Sequence, residues 1–69
     1  MENNYHNKYW VEATKAVKTN TVIGYAVWHI NNEGARESVQ RFRITKNAKW
    51  QIALHLANES AADYNKGIL

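Results

Sequence analysis

The side chains best suited to chemistry in this chain are cations set among aromatic and β-branched residues. Arg36, Arg41, Arg43, Lys46 and Lys49 follow one another closely, opposed in that stretch only by Glu37. Before Ala35, Lys8, Lys15 and Lys18 are cancelled by Glu2, Glu12 and Glu33, so the whole net charge of +3 comes from the second half. Arg41 and Arg43 are two residues apart, which on a strand puts them on one face. A basic sheet face suits a polyanion, and nucleic acid is the commonest one. Arginine pairs with phosphate or bidentately with guanine, and tryptophan stacks on bases or packs on sugar. The candidate nucleic-acid-binding residues are therefore Trp10, Trp28, Arg36, Arg41, Arg43, Lys46 and Lys49. The two lysines fall where a helix begins, an end that prefers acids and anions.

Other chemistries find little support. His6, His29 and His55 share no ligand spacing, and there is no cysteine for a thiolate site or disulfide. Glu59 and Asp63, four apart, read as a solvated helix face. Ser38 and Ser60 lie in no nucleophile motif, and Gly24, Gly34 and Gly67 are too scattered for a phosphate loop. The sequence thus predicts a protein that is not an enzyme and holds no metal or cofactor.

The elements that must position these residues follow from periodicity. Tyr9 to Lys18 alternates, with Tyr9, Val11, Ala13 and Val17 on one parity and Trp10, Glu12, Thr14 and Lys18 on the other. Residues 9–17 read as a strand, with a helix as the rival. Thr19-Asn20-Thr21 is a turn signal. Val22 to Ile30 is apolar on both parities, as a central strand would be, and Gly24 lets a neighbour or a ligand come close. Asn31-Asn32-Glu33-Gly34 signals a hairpin, and Ala35 to Thr45 is a third strand with Phe42 and Ile44 facing the core.

A hairpin loop of about two residues would set Gly24 near Arg41, Ala26 near Val39 and Trp28 near Glu37. Trp10, Trp28, Arg41 and Arg43 then share the outer surface with Glu12 and Thr14. Arg36 and His29 lie near the hairpin end on the other parity. The position of Trp28 depends on register, since a slip of one residue reverses it.

Thr45 or Asn47 is placed to cap a helix running to about Lys66. Trp50, Ala53, Leu54, Ala57, Ala61 and Tyr64 form its stripe, Ile52 and Leu56 widen it, and Gly67 suits the C′ position with Ile68 folding back. The predicted fold is α+β: a three-stranded antiparallel sheet packed on one C-terminal helix, βββα. Residues 1–8 are expected to be a flexible tail and 9–69 a single small domain. With 69 residues the core is marginal, and three Trp, four Tyr and one Phe are its main supply of large apolar surface.

The stretch from Gly24 to Tyr64 resembles the Apetala-type DNA-binding domains and the related arm-binding domains of phage integrases. The resemblance rests on Gly24-Tyr25-Ala26-Val27-Trp28, the turn Glu33-Gly34, the exit Arg41-Phe42-Arg43-Ile44, and the helix residues Ala53, Ala57, Ala61-Ala62 and Tyr64-Asn65. It implies a sheet that enters the major groove, with Trp28, Arg41 and Arg43, and less directly Trp10, on bases and phosphates. The strand from Tyr9 to Val17 lacks the Gly-Val pair and basic stretch with which that family opens.

Double-stranded DNA is therefore the expected partner. The alternative is a small phage-type inhibitor or adaptor that binds a host or defence-complex protein through the same Trp and Arg residues, which dominate interface hot spots. A homodimer burying the open face is a third reading. An initial Met on a short chain points to a small reading frame of a phage or mobile element. Absence of cysteine and of a long apolar stretch points to a cytoplasmic protein, or a nuclear one in a eukaryote, with no membrane partner.

Overall fold

The computed structural model describes residues 8–67, in the order β1 (Tyr9–Lys15), β2 (Val22–Ile30), β3 (Arg36–Arg43) and α1 (Trp50–Lys66). The expected loose tail and the folding back of Ile68 lie largely or wholly outside those residues. The sheet is antiparallel with β2 in the centre, and residues 9–15 are strand, not helix. β1 stops earlier than its alternation predicted. Ala16 closes the turn through Asn20 N–H to Ala16 O and Ala16 N–H to Thr21 O, both 2.8 Å. Asn20 takes a left-handed φ of 59°, which asparagine tolerates. Val17, read as a buried strand position, is fully exposed on that turn.

α1 covers one face of the sheet. Ala53, Ala57 and Ala61 are all buried and recur every fourth residue, so they form a smooth ridge that lets the helix lie close on the strands. Val27 and Ala57, both 0% exposed, form the centre with Ala61. Tyr9, Val11, Tyr25, Val39, Phe42 and Tyr64 pack around it.

The C-terminal half of the helix is pinned at both sheet edges. Ser60 Oγ donates to Gln40 Oε1 of β3 at 2.6 Å. On β1, the Asn65 side chain accepts from Tyr9 N–H at 2.7 Å and donates to Tyr9 O at 3.1 Å. Tyr9 is stacked between His29 and Tyr64, each ring centroid 4.8 Å away. Gly67, with φ 81°, ends the helix by donating to the Asp63 and Tyr64 carbonyls, and Lys66 in the last turn suits the negative end of the helix dipole.

The N-terminal end differs from expectation. The helix starts at Trp50, and its N-cap is Lys49, with no side-chain cap. Thr45 Oγ instead accepts from the Asn47 and Ala48 amides, at 3.2 and 3.0 Å, so it caps the preceding bend. Trp50, Ile52 and Leu56 are 51%, 48% and 40% exposed. Ile52 and Leu56 lie on a flank of the helix beyond the alanine ridge, and Trp50 lies on the first turn, so these three add less to the core than the stripe predicted.

The β2–β3 register is the main correction. Gly24 pairs with Arg43, Ala26 with Arg41 and Trp28 with Ser38, not with Arg41, Val39 and Glu37. One residue of the difference comes from the loop. Asn31 N–H bonds to Ala35 O at 2.8 Å and Gly34 N–H to Asn31 O at 3.0 Å, with Gly34 at φ 83°. This is a three-residue hairpin loop ending in a left-handed glycine. The Asn31 side chain braces it by accepting from the Glu33 and Ala35 amides. The second residue comes from a bulge: Val27 pairs with Gln40 and Trp28 with Ser38, leaving Val39 extra. Val39 packs on the core and Gln40 meets the helix, so two successive residues serve the same face.

Gly24 sits where β2 and β3 are tightly apposed. A Cβ built there would lie 2.5 Å from the Phe42 carbonyl oxygen and 3.1 Å from Arg43 Cα. Backbone atoms cannot swing aside as a flexible side chain would. Gly24→Ala is therefore expected to destabilise the fold by roughly 1–3 kcal/mol through overpacking. Urea unfolding checks this; an unchanged midpoint would show that the strand spacing is soft.

Candidate nucleic-acid interface

The sheet face turned away from the helix follows from the pairing, since paired residues share a face. On successive rungs it carries Thr14, Gly24 and Arg43; then Glu12, Ala26 and Arg41; then Trp10, Trp28 and Ser38. Ile30 and Arg36 complete it at the hairpin end. Trp10, Trp28, Arg41 and Arg43 thus lie together with Glu12 and Thr14, as the alternation predicted. Arg36 joins them, contrary to expectation, because the Val39 bulge reverses parity between it and Arg41. Glu37 goes the other way, onto the helix side beside His29.

Two kinds of surface lie side by side on this face. At the hairpin end the groups are bound to one another. Trp10 Nε1 donates to Glu12 Oε2 at 2.8 Å, and Arg36 donates to Glu12 Oε1 at 2.6 Å. The Arg36 guanidinium also lies 4.6 Å from the centroid of the Trp28 ring, a cation–π arrangement. At the opposite end, Arg41 and Arg43 border a recess of about 370 Å³ at the end of the sheet, lined also by Thr14 and Gly24 and by Ile23, Tyr25 and Phe42 of the other parity. Arg41 reaches Ser38 Oγ at 3.4 Å, a long hydrogen bond. Among the described residues, Arg41, Arg43, Lys46 and Lys49 have no acidic partner. Lys46 and Lys49 lie in the connection that leaves β3 and enters the helix, so they continue the cationic end of the sheet.

The floor between the two ends is flat. Gly24 has no side chain, and Ala26, though on the outer face, is only 1% exposed. Its cross-strand neighbours are Glu12 and Arg41, whose long stems shelter apolar surface while their heads reach water.

Two carboxylates have shifted titration. Glu12 is held below its usual pKa by the Trp10 indole N–H and then by Arg36, against an opposing effect of burial. Glu37, on the helix side, is lowered chiefly by the Asn31 amide and then by His29, whose Nε2 lies 3.5 Å from its carboxylate. The remaining described histidine, His55, pairs with Glu59 along the exposed helix face, and His6 lies outside the described residues. Among the described residues no three His, Cys, Asp or Glu side chains gather in a way that could hold a metal ion.

Arg36, a candidate binding residue read onto the opposite parity, is thus placed on the outer face by the bulge. Val39 and Phe42 both pack on the core and are three residues apart. Strict alternation allows only even spacings, so the bulge at Val39 is what brings both to one face, and it reverses parity before Ser38 and Arg36.

No protein-family model, curated protein or solved structure matches this chain. Among the described residues, no helix is long and apolar enough to cross a membrane.

Both lowered carboxylates bind a proton less readily folded than unfolded. They therefore add stability above their ordinary value of 4.5, and lose it as pH falls through the depressed folded values. The thermal midpoint is expected to drop on acidification below pH 4.5, less steeply in Glu12→Gln. Circular dichroism melts across that range check this; identical pH profiles in the two proteins would remove Glu12 from the account.

Proposed function

We propose that this chain is a non-enzymatic nucleic-acid-binding domain that holds double-stranded DNA against the outer face of its sheet. The observation that carries this reading is the pair Arg41 and Arg43, which among the described residues have no acidic partner and lie on the sheet face turned away from α1. Strands about 4.8 Å apart put the outer strand axes roughly 10 Å apart, comparable with a major groove about 12 Å wide. The resemblance of residues Gly24 to Tyr64 to Apetala-type and integrase arm-binding domains, which rests on the sequence alone, agrees with this reading. In this reading Arg41, Arg43, Lys46 and Lys49 meet phosphate or guanine, and Trp10, Trp28 and Arg36 form the more rigid end of the surface.

The protein-adaptor reading draws support from the same rigid Trp10, Trp28 and Arg36 group, since immobilised Trp and Arg side chains make good interface anchors. A face-to-face pair of identical chains is less favoured. It would set the guanidiniums of Arg36, Arg41 and Arg43 against a second such set, with Glu12 the one acid among the described residues of each outer face.

Fluorescence anisotropy of a mixed-sequence duplex at low and moderate salt tests the proposal. Affinity is expected to fall steeply with salt, because neutralised phosphates release counterions. Arg41→Ala and Arg43→Ala should each cost about 1–3 kcal/mol at a base contact, with relaxed sequence preference, or weaken all sequences equally at a phosphate contact. Unchanged binding in the double variant would discard this site. Absence of binding at low salt would discard DNA and favour a protein partner.

A further inference from the structure

On the reading that the outer face binds duplex DNA, we infer that Glu12 acts as a built-in counter-anion. It occupies Arg36, closes the hairpin end of the face to phosphate, and so directs the nucleic-acid backbone to the Arg41–Arg43 end.

The Glu12 carboxylate uses both oxygens inside the face, one for Arg36 at 2.6 Å and one for the Trp10 indole at 2.8 Å. It thus fills the position beside Arg36 that a phosphate oxygen would take, with the same charge-assisted contact. Arg36 is held from a second side by the Trp28 ring at 4.6 Å. A phosphate approaching this end meets a neutralised arginine and an adjacent carboxylate that repels it. Two residues along β1, Thr14 is a neutral hydroxyl, and its rung continues through Gly24 to Arg43. Among the described residues nothing anionic stands on that rung or beside Arg41 except Glu12 itself, across Ala26. The face is therefore polarised along its strands, neutral at the hairpin end and cationic at the other. Glu12 is a carboxylate at neutral pH in any case, and its hydrogen bonds from Trp10 and Arg36 extend the charged state into more acid solution.

Glu12 is a positioning residue in this scheme, and its neutral isostere is the informative change. Glu12→Gln keeps an oxygen for the Trp10 N–H but releases the Arg36 charge. The variant is expected to bind a short mixed-sequence duplex more tightly than wild type at low salt. The slope of log affinity against log salt should steepen by about 0.9, one further counterion. Its advantage should then shrink about 3.5-fold between ~50 and ~200 mM salt. Adding Arg36→Gln should return both affinity and slope to wild-type values, because the pair leaves together. Far-UV circular dichroism of each variant establishes that it is folded before titration.

A Glu12→Gln variant with unchanged or shallower slope would overturn the inference, as would a gain that survives the loss of Arg36. Weaker binding by folded Glu12→Gln would overturn it too, since the carboxylate would then be aiding the complex. Wild-type protein that binds no duplex at low salt would refute the underlying DNA reading itself, which is a different result from any of these.

Discussion

One helix can cover only one face of a three-stranded sheet, and the rest of this structure follows from that limit. The seventeen residues of α1 extend about 25 Å, and their Ala53–Ala57–Ala61 ridge is smooth enough to bring the helix down on Val27. The central strand is apolar on both parities, so the face turned away from α1 carries Ala26, Trp28 and Ile30. Those residues are sheltered by neighbours with charged ends: Arg36 lies over Trp28, and Glu12 and Arg41 flank Ala26. The cations on this face thus cover apolar surface and also present charge. A helix on that side would have removed both the need and the opportunity.

The bulge at Val39 decides which cations are presented. Without it, a continuous alternation would leave Arg36 with the helix-facing residues, away from Glu12 and Trp28. With it, Val39 and Gln40 both serve the helix side, and Arg36 and Ser38 turn outward with Arg41 and Arg43. The same bulge brings Glu37 under the sheet, where it meets His29 and Asn31 near the loop. A local irregularity of one residue therefore sets the charge pattern of both faces.

Strand order and the helix were legible because their signals are local and repeated. Val22 to Ile30 is dense in β-branched and aromatic residues, and alanines return every fourth position in α1. The shared face of Arg41 and Arg43 was legible for the same reason, since it depends only on parity within one strand, whereas the side taken by Trp28 hung on the register. The register was not, because loop length and bulge add one residue each and no periodicity reports their sum. The Trp10–Glu12–Arg36–Trp28 group was hidden behind that register, as it joins three strands through side chains far apart in sequence. The helix start was misplaced because Thr45, a good cap by type, serves the bend before it.

The central claim is that the outer face of the sheet, at its Gly24–Arg43 end, is the binding surface. The most direct test is an amide and indole NMR titration of the full chain with a short DNA duplex at low salt. The account requires the largest shift changes at Thr14, Gly24, Arg41 and Arg43 and in the connection carrying Lys46 and Lys49, with the exposed helix face from Gln51 to Glu59 little changed. Shifts concentrated on Ile52, Leu56 and the helix flank, with the outer face silent, would contradict it.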